Sequence, residues 1–222
     1  MCGRFVMTLG PDKLRRVFGV TEVPLLPPRY NIAPTQQILS VCQNGDGYRH
    51  LKSFRWGLIP PWSKDSSIGN KMINARCETI HEKPSFRGPI RFHRCLIPAS
   101  GFFEWQQIDG RKQPYLIQRK DSEPMAFAGI WESWKNDGET IETCAILTTE
   151  ANSLMRDIHN RMPVILSSSE FDHWLDRNIT DPAQLKGLYT PFPSESLQAI
   201  LISTAINNTR HDIPDCLVPL DS

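Results

Sequence analysis

The sequence predicts an α+β fold with a largely antiparallel, barrel-like β core and a few peripheral helices. Three observations carry this expectation. Seven segments rich in aliphatic, β-branched and aromatic residues read as strands, at 38–42, 48–56, 115–119, 125–131, 140–148, 162–166 and 197–203. Asn44-Gly45-Asp46-Gly47 and Asn136-Asp137-Gly138 are hairpin turn signals, so neighbouring strands fold back on one another. No strand runs into a glycine-rich phosphate loop, which argues against a nucleotide-binding parallel sheet.

Between the strands, Pro11 opens a short amphipathic helix carrying Leu14, Val17 and Phe18, and Gly19 closes it. Helical spacing of Ala151, Leu154, Met155 and Ile158 predicts a helix over 150–158. A third helix opens at 167–169 and carries Phe171, Trp174 and Leu175, and 182–188 reads as a fourth. Prolines stiffen the loops at 24–28 and 59–62, and 29–34 reads as another ring-bearing, Pro-stiffened loop. The 222 residues, 40% hydrophobic, are enough for one well-cored domain spanning 1–222.

Net charge is only +1, so the chain as a whole does not attract polyanions. The charge is unevenly spread. From Lys83 to Phe103 there is no acid, but Lys83, Arg87, Arg91, His93 and Arg94 occur, which predicts one positive face. The six cysteines form no Cys-x-x-Cys pair and have no zinc-like spacing to histidine, so no metal and no cofactor are expected. There is no apolar export segment near the start, no membrane-length run and no glycine after Met1 for myristoylation. The expectation is a cytoplasmic, reduced, monomeric protein with buried thiols and no membrane association.

Four segments are over-specified for packing. The first is Met1-Cys2-Gly3-Arg4. Removal of Met1 would leave an α-amine and a thiol on adjacent carbons, a pair no internal cysteine offers. Such a 1,2-aminothiol condenses with an aldehyde, first as an imine and then as a five-membered thiazolidine. An α-amine titrates near ~7.7–8.0, so roughly 10–15% is unprotonated at pH 7. The tethered thiol then attacks with an effective molarity on the order of 10⁵–10⁸ M. The second segment is 72–79, where Asn74 and Arg76 share a face if the backbone is extended. The third is 95–105, an apolar strand running into a glycine turn, with Glu104 flanked by aromatic rings and suited to proton transfer. The fourth is 157–163, where His159 at a helix-to-strand junction is the candidate general acid or base.

Each residue also has a plainer reading. Cys2 could be an idle terminal residue, Asn74 a turn cap and Glu104 a surface group beside a rim tryptophan. His159 could cap a helix C-terminus, and Arg4, Arg76 and Arg161 could be structural ion-pair partners. Rings near arginines, with Trp62 exposed beside Pro61 and Trp56 in the core, fit unstacked bases and phosphates, although core packing is the commoner use of such residues.

Six ordered motifs resemble one family. They are Met-Cys-Gly-Arg-Phe at 1–5, Tyr-Asn-Ile-Ala-Pro at 30–34, Trp-Gly-Leu-Ile-Pro-Pro-Trp at 56–62, Ile-Asn-Ala-Arg-Cys-Glu-Thr at 73–79, Gly-Phe-Phe-Glu-Trp at 101–105 and Ile-His-Asn-Arg-Met-Pro at 158–163. On these the chain is similar to the SRAP (SOS response-associated peptidase) family, the abasic-site processing proteins. The motifs span about 1–166, and 167–222 completes the domain.

The resemblance implies binding of single-stranded DNA bearing an abasic site. It implies that the protein removes its own Met1 as an autopeptidase and that Cys2 then joins the open deoxyribose aldehyde, in lyase-like imine chemistry, as a thiazolidine crosslink that protects the lesion. In that scheme Asn74 holds the sugar end, Glu104 shuttles protons and His159 assists imine formation. Arg4, Arg76 and Arg161 contact phosphates, and Trp62 stacks near the lesion. A nucleoid association follows if the chain is bacterial. Position 77 departs from the family, with Cys where Val or Ala is ordinary, and reads as a packing substitution. Two rivals stand beside this reading. One is a thiol peptidase acting on its own Met1 or other peptides, with Cys2 and His159 as a dyad. The other is a non-catalytic single-stranded DNA binder.

Overall fold

The computed structural model describes residues 2–220. Among these, the strands are β1 (Phe5–Met7), β2 (Arg29–Ile32), β3 (Gln37–Gln43), β4 (Arg49–Trp56), β5 (Asn74–Arg76), β6 (Arg94–Ala99), β7 (Gly101–Ile108), β8 (Arg111–Arg119), β9 (Met125–Asn136), β10 (Glu139–Glu150), β11 (Arg161–Pro163) and β12 (Leu197–Leu201). The α-helices are short: α1 (Pro11–Phe18), α2 (Pro89–Phe92), α3 (Ser153–Arg156) and α4 (Phe171–Leu175).

Both hairpin signals act as expected. Asn44–Gly47 turns β3 into β4, and Asp137 and Gly138, at φ 47° and 84°, turn β9 into β10. Two successive positive φ values match the right-handed twist of the strands, which is why Asp-Gly occurs there. The strands β10, β4, β3, β6 and β9 pair in that order, and β9 pairs again with β10, closing a five-stranded barrel. An odd number of strands cannot alternate direction all the way round. The one parallel seam is β4–β10, at Thr143 opposite Arg55 and Cys144 opposite Trp56. Closure removes exposed sheet edges. A second, wholly antiparallel sheet runs β12-β8-β7-β1-β2.

Period-two alternation gives the barrel strands two apolar faces. Cys95, Ile97 and Ala99 of β6, Met125 and Phe127 of β9, and Cys144 and Ile146 of β10 join one core. The second sheet packs into it through edge-to-face rings, with Phe5 at 5.3 Å from Trp56 and Phe102 at 6.0 Å from Phe127. The alternate residues Leu96, Ala126, Ala128, Ala145 and Leu147 lie in the other core, under α1 and α4. There Phe18 stacks on Phe171 at 5.5 Å. Arg94 ties this side together, donating to the backbone carbonyls of Ile90, Arg91, Trp174 and Asp176.

Some expected elements change. The helix expected at 150–158 is the single turn α3, because β10 runs on to Glu150 and Asn152 then caps the helix, its side chain accepting from Met155 N at 3.0 Å. The strand expected at 162–166 stops at Pro163, and Ile165 makes only an isolated bridge to Phe127. The segment 182–188 forms a 3-10 helix, Pro182–Tyr189, rather than an α-helix. The segment 29–34 is not a loop throughout, since its first four residues are β2. The glycine turn expected after Ser100 is the start of β7. Gly101 is needed there because a Cβ would lie 2.7 Å from the Ile117 carbonyl oxygen of β8.

Gly57 is the other constrained glycine. Its φ is +134°, and a Cβ would lie 2.5 Å from Gly69 O. Gly57→Ala is expected to cost about 1–3 kcal/mol from backbone strain, with the clash adding to it. Urea unfolding monitored by tryptophan fluorescence checks this, and an unchanged midpoint would contradict it. Among the described residues, no helix is long and apolar enough to cross a membrane.

Candidate active site

The N-terminal strand determines where Cys2 sits. β1 pairs with β7 through Phe5 opposite Phe102, and Phe103 N donates to Arg4 O at 2.9 Å. Continuing that register outward would bring Gly3 level with Glu104 and Cys2 level with Trp105. Cys2 is fully buried at this junction, and its carbonyl accepts from Asn74 Nδ2 at 2.8 Å. Asn74 begins β5, which lies parallel to β10 with Asn74 opposite Ile146 and Arg76 opposite Thr148. Asn74 and Arg76 therefore share one face of the strand, as the sequence predicts, while Ala75 and Cys77 point into the helix-covered core.

Glu104 is 3% exposed, so a rim position beside Trp105 does not describe it. Burial pushes the Cys2 thiol far above its ordinary value. The nearby Glu104 carboxylate pushes it further, and a backbone hydrogen bond at Arg4 pulls it part of the way back. Cys2 is thus a neutral thiol next to a buried carboxyl group. Met1, whose removal the aminothiol chemistry requires, lies outside the described residues.

His159 is half-buried between α3 and β11. Its backbone N donates to Met155 O at 2.7 Å, yet Asp157 is the C-cap of α3, so His159 is not the helix cap. Its Nδ1 accepts from Arg161 N at 3.0 Å, so the neutral ring carries its proton on Nε2. Gln106 of β7 donates to Asp157 O at 2.8 Å and accepts from Tyr115 OH at 3.1 Å, which ties the strand of Glu104 to the loop of His159. Cys2, Asn74 and Glu104 are brought together directly, and His159 is joined to them through this tether.

The three arginines differ. Arg161 makes a bidentate pair with exposed Glu78, at 2.6 and 2.9 Å, and also donates to Thr148 O at 2.6 Å. Arg4 donates to Asn31 Oδ1 and Ile206 O, both at 2.8 Å, with its guanidinium 5.8 Å from the Trp105 ring. Arg76 is exposed, and its side chain makes no hydrogen bond or ion pair among the described residues. Trp56 is fully buried, whereas Trp62 is 58% exposed on a loop anchored by Trp134 Nε1 donating to Ser63 O at 2.7 Å. Among the described residues no cluster of His, Cys, Asp or Glu is placed to hold a metal ion.

Residues that the sequence reading did not single out support the site. Asn31 is fully buried and donates to the carbonyls of Ile206, Asn208 and His211. Asp212 accepts from the backbone of Tyr30 and Asn31 and from Arg29 Nε. These bonds fasten the C-terminal segment across β2 and against Arg4. Asn31 sits in a recognisable motif, but Asp212 is 181 residues from it and carries no local signal. Cys77 is buried in the helix-covered core with its thiol pushed up by burial, on the opposite face from Asn74.

Comparison with known proteins places the chain among relatives of similar sequence and fold. "Abasic site processing protein YoqW" of Bacillus subtilis is 43% identical over 224 residues, covering 98% of this chain and 99% of that protein. "Abasic site processing protein HMCES" of Gallus gallus is 33% identical, covering 100% of this chain and 78% of that protein. A crystal structure of a Bacteroides thetaiotaomicron protein superposes with a TM-score of 0.86 at 31% identity, covering 99% of this chain and 100% of the other. The family model for SOS response associated peptidase (SRAP) matches residues 1–209, and the chain belongs to that family.

Proposed function

We propose that this protein processes abasic sites by covalent capture. In this reading, Cys2 with Met1 removed forms a thiazolidine with the deoxyribose aldehyde of an abasic site in single-stranded DNA. Relatives named as abasic site processing proteins, matched over nearly the whole chain, support the general activity. The observation that carries the finer reading is Cys2, held at its backbone carbonyl by Asn74, with its thiol near the buried Glu104.

The steps balance without a cofactor. The Cys2 amine adds to the aldehyde carbon, and the carbinolamine loses water to give an imine. The thiol sulfur then bonds to the imine carbon while its proton moves to the nitrogen. Glu104 hands protons to and from the departing oxygen and the ring nitrogen, and His159 assists through Nε2. Asn74 holds the N-terminal residue in line for attack. Residues 1–222 act as one SRAP domain, since the segment after 203 is fastened to Arg4 and Asn31.

Burial raises the Cys2 thiol, so a peptidase reaction would have to draw it towards the thiolate during attack. An amine-first reaction has no need of a thiolate at the start. Mixing the Met1-free protein with abasic single-stranded DNA and running a denaturing gel tests the proposal. A slow-migrating, heat-stable band is expected, and its absence sinks covalent capture. Arg76→Ala is expected to weaken intact and abasic strands alike, because phosphate contacts carry no lesion information. Fluorescence anisotropy on both strands checks this, and a loss confined to the abasic strand contradicts the role.

A further inference from the structure

Around α2, Phe92, Arg87 and Arg91 lie beside Trp62, the ring that the family resemblance places near the lesion, and the crosslinking chemistry gives these three no role. A shallow pocket of about 250 Å³ is lined by Pro61, Trp62, Arg87, Pro89, Arg91 and Phe92 among others. Trp62 is 58% and Phe92 53% exposed. Single exposed rings are ordinary, but here two share one hollow with two arginines. Arg87 and Arg91 are exposed, and their side chains make no hydrogen bond or ion pair among the described residues. The one carboxylate lining the pocket, Glu132, uses one oxygen to accept from Ser133 N, and the same oxygen lies 3.5 Å from His93 Nδ1.

The platform is held firmly, since Arg94 donates to the Ile90 and Arg91 carbonyls of α2 at 2.7 and 2.8 Å. A neighbouring cleft reaches from α2 towards the ion-pair partner of Arg161. Arg91 lines this cleft of about 640 Å³ together with that partner, Glu78. Rings for unstacked bases beside cations for phosphates are what a single strand requires.

We infer that α2 is a second station for the bound strand. Nucleotides flanking the lesion stack on Trp62 and Phe92, while Arg87 and Arg91 take their phosphates. This rests on the single-strand reading above, and it extends the footprint well beyond the lesion itself.

Anisotropy with labelled intact strands of about 4 and about 16 nucleotides, the range of single-strand site sizes, tests it. For the Arg87→Ala/Arg91→Ala protein, the log–log salt slope on the long strand is expected to fall by about 1.4, at about 0.7 per contact. Phe92→Ala is expected to weaken the long strand roughly 5- to 100-fold with the slope unchanged. The short strand, filled by the lesion site alone, should show smaller losses with both proteins. Wild-type binding of the long strand by both variants overturns the inference, as do losses equal at both lengths. A pocket built for a protein partner would give the first of these results. The parent reading is checked separately by wild-type protein and a short abasic strand. No adduct there sinks covalent capture, whereas an adduct with indifferent α2 variants sinks only the second station.

Discussion

Cys2→Ser protein, freed of Met1, is expected to give an adduct that borohydride traps and heat destroys. The substitution leaves the α-amine in place, so the imine still forms and can be reduced to a stable amine. It replaces the sulfur that closes the ring. A hydroxyl is a poorer nucleophile towards an imine carbon, and the oxygen ring it forms hydrolyses readily. The tethered thiol contributes an effective molarity on the order of 10⁵–10⁸ M, and this is lost from the second step. The heat-stable band should therefore vanish while the trapped band persists. The fold is a minor concern, because Ser is nearly the size of Cys and the Asn74 bond is to the Cys2 backbone carbonyl, not to the thiol. An equally heat-stable adduct from the serine protein would remove the thiazolidine step from the mechanism.

Glu104→Gln is the second large effect. The side chain is buried, and the amide keeps its shape while removing its ability to exchange a proton. General acid–base catalysis is worth about 10²–10⁴-fold, so both formation and reversal should slow by that order. The two directions must slow together, because one group serves the same transition states in each. The Cys2 thiol should also move down in pKa, since the Glu104 charge is one of the causes that raise it, although burial remains the larger. Single-turnover rates of adduct formation and release check the first point. Wild-type rates in both directions would take Glu104 out of the proton path. Loss of DNA binding with unchanged chemistry would make it a structural group instead.

The two arginines that the protein itself occupies bear on how DNA enters. Arg161 already holds a carboxylate, and Arg4 already holds Asn31 and the Ile206 carbonyl. Any phosphate contact at Arg161 has to displace or share with Glu78, whereas Arg76 is available at once. Among the described residues, the side chains of Arg76 beside the candidate site, Arg91 of α2 and Arg87 just before α2 thus have no hydrogen-bond or ion-pair partner.

The amino-acid order alone determined the class of fold and supplied the thiol on which the proposed chemistry of the terminus rests. Strand-forming residues over 125–131 and 140–148, with Asp137-Gly138 between, predict a hairpin, because residue type and positive φ are local properties. The 1,2-aminothiol of the proposed chemistry is equally local, since it needs only Cys2 directly after Met1. The spacing of Asn74 and Arg76 on one face follows from an extended backbone alone.

Other features became visible only in three dimensions. β1, β5 and β11 have three residues each, too few to show a period, and they exist because long neighbours supply their hydrogen bonds. Asp109-Gly110 was as strong a turn signal as the two hairpin turns that were recognised, yet β7 was hidden because Gly101 reads as a break. Its need for glycine comes from the Ile117 carbonyl of the facing strand, not from a turn. The burial of Glu104, the tether from Gln106 to the His159 loop and the fastening of Arg4 by a segment 202 residues away depend on pairings between distant strands. Burial and charge sum over everything that packs nearby, so the state of the Cys2 thiol could be known only once the barrel closed and the second sheet covered it.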